Sequence, residues 1–186
     1  MKYEVIIAGF GGQGVMSMGQ LLAYAGMLEG RQVTWMPSYG PEQRGGTANC
    51  TVILSSRSIG SPVVGRPSAV IAMNLPSLDK FEGKVIPGGL LIVNSTLVAR
   101  RPSRDDVTVL LIPATGLAAE LGNERVANMV ALGALLEATG QVKPESVLDS
   151  LKKALPPHRH NLIPLNQQAL ERGRQLARER LGREAG

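Results

Sequence analysis

Residues 3–14 read YEVIIAGFGGQG, and this stretch decides the fold. Its first half is a short apolar run rich in Val and Ile, which is typical of a buried parallel strand. Its second half, Gly9 to Gly14, fits the pattern G-x-G-x-x-G, and an unbroken helical stretch follows from Val15 to about Glu29. With a second strand over residues 32–36, this strand, glycine turn and helix predict the opening of a doubly wound sheet.

The rest of the chain predicts further strands and helices. Strands are expected over residues 47–55, 69–73, 90–94 and 107–112, and helices over residues 75–81, 116–121, 124–139, 144–155 and from Asn161 towards Leu181. We therefore expect an α/β fold with three layers, α/β/α, a mostly parallel sheet and a helical C-terminal part. Residues 1–155 are expected to form the α/β domain, and residues 156–186 a helical extension packed on it or on a partner.

Composition excludes several classes of function. The single cysteine, Cys50, allows neither an internal disulfide nor an iron–sulfur cluster held by four cysteines. The net charge is +5, but the basic residues are scattered and only 3% of residues are aromatic, so no nucleic-acid surface is expected. No apolar run reaches membrane-spanning length, and the N-terminus runs into a strand without a signal peptide. The expected compartment is the cytoplasm.

Two predicted helices are apolar on nearly every side. Residues 15–28 contain only Ser17, Gln20 and Tyr24 as polar positions, and residues 126–138 only Asn128 and Glu137. Such a helix packs on the sheet with one side, and its opposite side must pack either on a partner subunit or on another helix of the same chain. Because there are two such helices, we expect an obligate oligomer, with self-association of the isolated chain as a homodimer or aggregate.

The glycine turn leaves three interpretations open. A helix N-terminus after a glycine turn favours binding of phosphate or another anion. A nicotinamide or flavin site also needs an acid near the end of the second strand, where this chain has Trp35-Met36-Pro37-Ser38, and Glu29 precedes that strand. Dinucleotide binding is therefore disfavoured. A tight turn without any ligand is the third interpretation.

A second polar loop, residues 38–46 with the sequence SYGPEQRGG, follows the second strand. Its Arg44 is suited to bidentate contact with phosphate or carboxylate, whereas a solvated turn is the alternative. Cys50 is expected to be a small buried hydrophobe, and His158 and His160 lack a third metal ligand. The residues predict no catalytic set and no metal site in this chain.

A series of motifs occurs in one order over residues 1–95: GFGGQG, SYGPEQRGGTANC, GSPVV, AMNLPSLDKF and GGLLIVNS. In this series the chain resembles the gamma subunit of 2-oxoacid:ferredoxin oxidoreductases, most closely the 2-oxoglutarate type. The resemblance implies an α/β module that packs on partner subunits and helps to bind coenzyme A. The residues that match the two loop motifs, and are expected at the cofactor site, are Gly11, Gly12, Gln13, Gly14, Tyr39, Gly40, Arg44, Gly45, Gly46 and Thr47.

The same resemblance implies the chemistry of the whole complex. Such complexes use thiamine diphosphate and magnesium between the alpha and beta subunits, convert a 2-oxoacid and coenzyme A to acyl-CoA and CO2, and pass electrons through [4Fe–4S] clusters to ferredoxin. The clusters lie on the beta subunit or a delta subunit. The isolated chain is then expected to be colourless and inactive.

Three alternatives stay open from the sequence. The 2-oxoacid is pyruvate or a branched-chain acid instead of 2-oxoglutarate; or the chain is a free-standing dinucleotide-binding oxidoreductase; or it is a nucleotide-binding regulatory or scaffold module with no enzyme attached.

Overall fold

The apolar run that opens the chain lies inside a six-stranded sheet in the computed structural model, which describes residues 1–39 and 47–184. Val5 and Ile7 on one face of this strand and Ala8 on the other have no exposed surface, as expected for a strand covered on both faces. The strands are β1 Lys2–Phe10, β2 Gln32–Tyr39, β3 Thr47–Ser55, β4 Ala69–Ala72, β5 Leu90–Asn94 and β6 Thr108–Ile112. They lie in the order β2-β3-β1-β4-β5-β6.

Strand β3 separates β1 from β2, which the sequence did not predict. It pairs antiparallel with β1, from Phe10 opposite Thr47 to Lys2 opposite Ser55, and antiparallel with β2 on its other side. The pairs β1–β4, β4–β5 and β5–β6 are parallel, so the sheet is mostly parallel, as predicted. A short connection after β2 permits the hairpin, and the buried residues of β3 favour an interior place.

Helices cover both faces of the sheet, which confirms the three layers. Their bounds are α1 Val15–Leu28, α2 Leu75–Phe81, α3 Ala114–Glu120, α4 Ala127–Thr139, α5 Pro144–Ala154 and α6 Ile163–Glu184. The larger hydrophobic cluster lies on one face, beneath α1 and α3–α6. The smaller cluster lies on the other face and includes Leu78 and Phe81 of α2.

Of the two possible covers of α4, a partner subunit or another helix of the same chain, the structure shows the second. Residues 127–136 of α4 are buried within the chain, and α6 packs along α4 and supplies much of this cover. The backbones touch at two glycines: a Cβ on Gly133 would overlap the carbonyl of Leu170, and one on Gly173 would overlap that of Val130. Beside this contact, Glu137 of α4 pairs with Arg174 and Arg178 of α6. The division of the chain at residue 155 stays a prediction.

Helix α1 is covered less completely. It packs on β2 and β3 with one side and on α5 with another. Tyr24, Met27 and Leu28 nevertheless remain about half exposed, at 53%, 56% and 48%. Self-association of the isolated chain therefore stays a prediction, and it now concerns the α1 surface alone.

The two outer strands differ in composition. Strand β2 contains Pro37, which has no N–H to donate and is typical of edge strands. Strand β6 contains no proline. Among the helices of residues 1–39 and 47–184, none combines the length and apolar character that crossing a membrane requires.

Candidate ligand-binding site

The glycine turn connects β1 to α1 in a conformation that requires glycine. Gly12 and Gly14 have φ angles of 91° and 70°, in the left-handed region that other residues rarely adopt. A Cβ on Gly14 would also lie 2.8 Å from Cγ of Asn128 in α4. Gly11 and Gly12, in contrast, have no other atom of the described residues within 4 Å of an added Cβ. One side of the turn therefore packs on α4, and the other faces open space.

The side chain of Gln13 holds the turn in place. Its Oε1 accepts a hydrogen bond from Phe10 N at 2.6 Å, and its Nε2 donates to Met73 O at 3.4 Å. Asn74 Nδ2 donates to the same Oε1 at 3.5 Å. Since the Gln13 amide is engaged within the chain, its expected contribution to ligand binding falls to its backbone.

Buried asparagines continue this network along the carboxyl ends of the parallel strands. Asn94, at the end of β5, donates through Nδ2 to Met73 O at 3.2 Å and to Thr115 Oγ1 at 2.9 Å. Asn74 caps α2, as predicted, by accepting from Ser77 N at 2.9 Å. The ends of β1, β4 and β5 and the start of α3 are thus fixed relative to one another, as a preformed site requires.

Among the described residues, no side chain caps the N-terminus of α1. Gly14 occupies the N-cap position and makes no side-chain hydrogen bond, and the first turn contains no acidic residue. The first four N–H groups of a helix have no partner within the helix, and the aligned peptide dipoles give this end a partial positive charge. Such an end, approached by a glycine turn, is suited to an anion.

A crevice of about 300 Å³ opens beside the turn. Gly12 and Gln13 form one wall, Thr115 contributes a hydroxyl, and Glu124 and Arg125 precede α4 on the far side. Arg125 is exposed, and neither a salt bridge nor a side-chain hydrogen bond engages its guanidinium within the described residues. The crevice therefore combines the glycine turn that precedes α1, a hydroxyl, an available cation and the carboxylate of Glu124.

The second polar loop begins and ends at the end of the sheet where β1 leads into the glycine turn. Phe10, which precedes the glycine turn, pairs with Thr47, and Tyr39 pairs with Ala48. Tyr39 is 72% exposed. Of the predicted site residues, Gly40, Arg44, Gly45 and Gly46 lie outside the described residues. The structure thus brings the ends of the loop, Tyr39 and Thr47, to the edge that carries Gly11, Gly12, Gln13 and Gly14.

Glu29 does not offer the acid of a dinucleotide site. It lies at the C-terminal end of α1, far along the helix from the glycine turn. Its Oε1 accepts hydrogen bonds from Lys143 N and Ser146 Oγ, both at 2.7 Å, and so joins α1 to α5. Its carboxylate is a structural acceptor.

The other candidate residues have structural surroundings. Cys50 is completely buried, and burial raises its thiol pKa to about 12. His160 Nε2 lies 3.0 Å from Lys152 O and 2.9 Å from Leu155 O. Within the part of the chain that the structure describes, no three His, Cys, Asp or Glu side chains are grouped as metal ligands.

Sequence reasoning missed Thr115, Arg125 and Asn128 as residues of the site. Thr115 and Arg125 lie in ordinary helical and turn sequence, and only the sheet order brings them to the glycine turn. Asn128 had a visible signal, because it is one of two polar residues in an otherwise apolar helix. Its Nδ2 donates to Gly14 O at 3.4 Å, which explains that signal.

Comparison with known proteins identifies the family. The model of the pyruvate ferredoxin/flavodoxin oxidoreductase family matches residues 4–176. The chain belongs to this family. A ketoisovalerate oxidoreductase subunit VorA of Methanothermobacter thermautotrophicus is 42% identical over 182 residues, which cover 97% of this chain and 37% of the relative. The chain thus spans little more than a third of that relative's length.

Other members of the pyruvate ferredoxin/flavodoxin oxidoreductase family match from end to end. A 2-oxoglutarate synthase subunit KorC of Methanothermobacter marburgensis is 37% identical over 186 residues, covering 96% of this chain and 98% of the relative. The crystal structure of a keto/oxoacid ferredoxin oxidoreductase gamma subunit from Geobacter sulfurreducens matches with a TM-score of 0.81 and 32% identity, covering 94% of this chain and 98% of that one. The predicted family and gamma type are confirmed.

One further structure includes ligands. It is a 2-oxoglutarate:ferredoxin oxidoreductase from Magnetococcus marinus with 2-oxoglutarate, coenzyme A and succinyl-CoA bound. It matches with a TM-score of 0.88 and 25% identity, over 96% of this chain and 31% of that chain. The gamma fold thus occurs both as a separate subunit and as part of a longer polypeptide.

Proposed function

We propose that the chain is the gamma subunit of a 2-oxoacid:ferredoxin oxidoreductase that uses thiamine diphosphate. The match of residues 4–176 to the family is the observation that carries this proposal. The complex would oxidatively decarboxylate a 2-oxoacid to acyl-CoA in the cytoplasm, with ferredoxin as the acceptor. Thiamine diphosphate, magnesium and [4Fe–4S] clusters would be held by the alpha, beta and delta subunits, because this chain's one buried cysteine cannot ligate a cluster.

Within this complex, the chain would bind the phosphate-bearing end of coenzyme A. Support comes from the uncapped N-terminus of α1, the open faces of Gly11 and Gly12, and the crevice with Thr115 and Arg125. The Magnetococcus neighbour has coenzyme A bound, which agrees with this role. Arg44 is the second proposed cation, because the ends of its loop lie at the same edge of the sheet.

The chemistry of the bound end is electrostatic. Phosphate oxygens would accept from backbone N–H groups at the start of α1 and from guanidinium forks, which match their geometry. Loss of one charge-assisted hydrogen bond costs about 1.5–3 kcal/mol, which corresponds to roughly a ten- to hundredfold loss of affinity. The chain would position coenzyme A, and the partner subunits would carry the 2-oxoacid chemistry.

The arginines provide the test. Arg44→Ala and Arg125→Ala, each in the purified complex, should raise the KM for coenzyme A about ten- to hundredfold and leave the KM for the 2-oxoacid nearly unchanged. Arg66→Ala is the matched control, because Arg66 is exposed near the start of β4, at the opposite edge of the sheet. An unchanged KM for coenzyme A in both variants contradicts the binding role. Loss of subunits on gel filtration of Arg44→Ala would instead assign its loop to docking.

The glycine turn gives an independent test. Gly11→Val should obstruct the approach of phosphate without a clash against the described residues, because an added Cβ at Gly11 meets none of their atoms within 4 Å. Gly12 is less suitable, since its φ of 91° would strain any side chain. We expect Gly11→Val to raise the KM for coenzyme A at unchanged thermal stability. An unaltered KM would exclude the turn from the phosphate site.

Two substrate types are supported by different observations. The 2-oxoglutarate type is favoured by the end-to-end match to KorC. The branched-chain type is favoured by the higher identity to VorA, although over only 37% of that protein. Assays of the native complex with 2-oxoglutarate, 2-ketoisovalerate and pyruvate distinguish them through the ratio of kcat/KM values.

A further inference from the structure

Strand β6 forms an open edge of the sheet. Within the described residues it pairs only with β5. Thr108 N donates to Gly89 O at 2.8 Å, and Ile112 O accepts from Ser95 N at 3.0 Å, so the backbone groups of these two residues face β5. Consecutive residues of a strand alternate in direction, and therefore the N–H and C=O groups of Val109 and Leu111 face away from the sheet.

A basic groove runs along these outward groups. It has a volume of about 550 Å³, and Val109 and Leu111 form its floor together with Thr108. Arg101, Arg104 and Arg180 of α6 also line it. Asp106 balances only the charge of Arg104, which also donates to the carbonyls of Glu82 and Val85 at 3.0 Å. Arg101 and Arg180 take part in no salt bridge among the described residues.

We propose that this groove binds an acidic, extended segment of a partner polypeptide, which adds to β6 as a seventh strand. The outward backbone groups would supply the hydrogen bonds of strand addition. Arg101 and Arg180 would select for acidic side chains that flank the added strand. The groove lies along the side of the sheet, apart from the crevice at its carboxyl end, so this proposal does not depend on coenzyme A binding.

Charge and composition decide against the other occupants. A second copy of the chain paired through the same edge would bring Arg101 and Arg180 against their own counterparts, which is repulsive. A single-stranded nucleic acid would be attracted by the charge, but among the described residues no aromatic side chain lines the groove to stack with bases. An acidic strand satisfies both the charge and the open edge.

The test uses the full chain, labelled with 15N, and a seven-residue peptide of alternating Glu and Val. Titration to 1 mM should shift the amide signals of Val109 and Leu111 and slow their hydrogen exchange, with an effect that weakens as salt rises. The same peptide with Lys in place of Glu should bind at least about tenfold more weakly. Absence of shifts at both amides overturns the proposal, as does equal binding of the two peptides.

Variants of the chain test the arginine charges and the backbone hydrogen bonds of β6 separately. Arg101→Glu with Arg180→Glu should weaken binding of the Glu peptide about tenfold or more, whereas Arg66→Glu should not. Val109→Pro should abolish binding while the β5 pairing is kept, because the lost N–H faces outward. If Val109→Pro lowers the thermal stability, a peptide N-methylated on alternate residues tests the same hydrogen bonds. Tighter binding of a ten-residue oligothymidylate than of the Glu peptide would overturn the proposal in favour of nucleic acid.

Discussion

Gly133 of α4 and Gly173 of α6 form a reciprocal contact in which each helix touches the other's backbone. A methyl on Gly133 would overlap the carbonyl oxygen of Leu170, three residues before Gly173. A methyl on Gly173 would overlap the carbonyl oxygen of Val130, three residues before Gly133. The symmetry of the contact explains how α6 approaches closely enough to bury α4, whose sequence offers almost no polar face.

Adding a methyl group at this contact should destabilise the fold. Gly173→Ala should lower the free energy of unfolding by about 1–3 kcal/mol or more, because backbone atoms must move apart. Gly182→Ala is the control on the same helix, since its added Cβ meets no atom within 4 Å. It should raise the free energy of unfolding by about 0.5–1 kcal/mol. Guanidinium unfolding measures both, and equal effects would refute the close contact.

The ion pairs of Glu137 with Arg174 and Arg178 should make the free energy of unfolding depend on pH in the acidic range. Hydrogen bonding from Arg178, aided by the charges of Arg178 and Arg174, holds the pKa of Glu137 below the ordinary 4.5. A lowered carboxyl pKa stabilises the fold above pH 4.5, and that contribution is lost as the pH falls through the folded pKa. Because Arg178 is 56% exposed, solvent screening keeps this contribution to stability small.

Glu137→Gln tests this dependence. It should lower the free energy of unfolding at pH 7, and its difference from the wild type should shrink below pH 4.5. Glu171→Gln, at a more exposed partner of Arg174, should have a smaller effect at pH 7. A Glu137→Gln difference that stays constant from pH 7 to pH 3 would contradict the pairing.

Cys50 should be unreactive while the chain is folded. Its thiol is buried, lies 3.5 Å from Val15 O, and has its pKa raised to about 12 by desolvation. At pH 8 only about one thiol in ten thousand would be ionised. We expect no rapid reaction with a thiol reagent such as DTNB, and one equivalent of reaction after unfolding. Fast labelling of the native chain would show that this part of the core opens.

The isolated chain should self-associate through α1. Tyr24, Met27 and Leu28 border an apolar groove of about 630 Å³ between α1 and α5, and such a surface is seldom left in water. Tyr24→Ser with Met27→Lys should increase the monomer fraction in sedimentation velocity. Val63→Ser, which changes an isolated exposed side chain, should not. A wild-type chain that stays monomeric at micromolar concentration would contradict an interface on α1.

Local signals in the sequence predicted the strands and helices, but not which of them pack against one another. The alternation of apolar runs and glycines located the six strands, and Asn74 marked the start of α2, because these signals depend on adjacent residues. The position of β3 between β1 and β2 depends on pairing at a distance, which no local pattern encodes. The cover of α4 likewise depends on Gly173, some forty residues away in sequence.

The site was predictable to the extent that it depends on backbone conformation. Gly12 and Gly14 were visible because only glycine tolerates their φ angles. Thr115 and Arg125 line the same crevice as the glycine turn only because of the order of the strands, so their position there could not be predicted before the topology was known. Gln13 matched the motif, but its side chain forms hydrogen bonds with Phe10 N and Met73 O that hold the turn in place.

Pro37 makes the two outer strands unequal as places where a further strand could be added. One outer strand, β2, has lost a hydrogen-bond donor to this proline, whereas β6 keeps its full set. Filaments that grow by strand addition need two usable edges on every copy, one to accept the previous molecule and one to offer to the next. The missing donor makes strand addition less favourable at β2 than at β6, which works against edge-to-edge polymerisation of the chain.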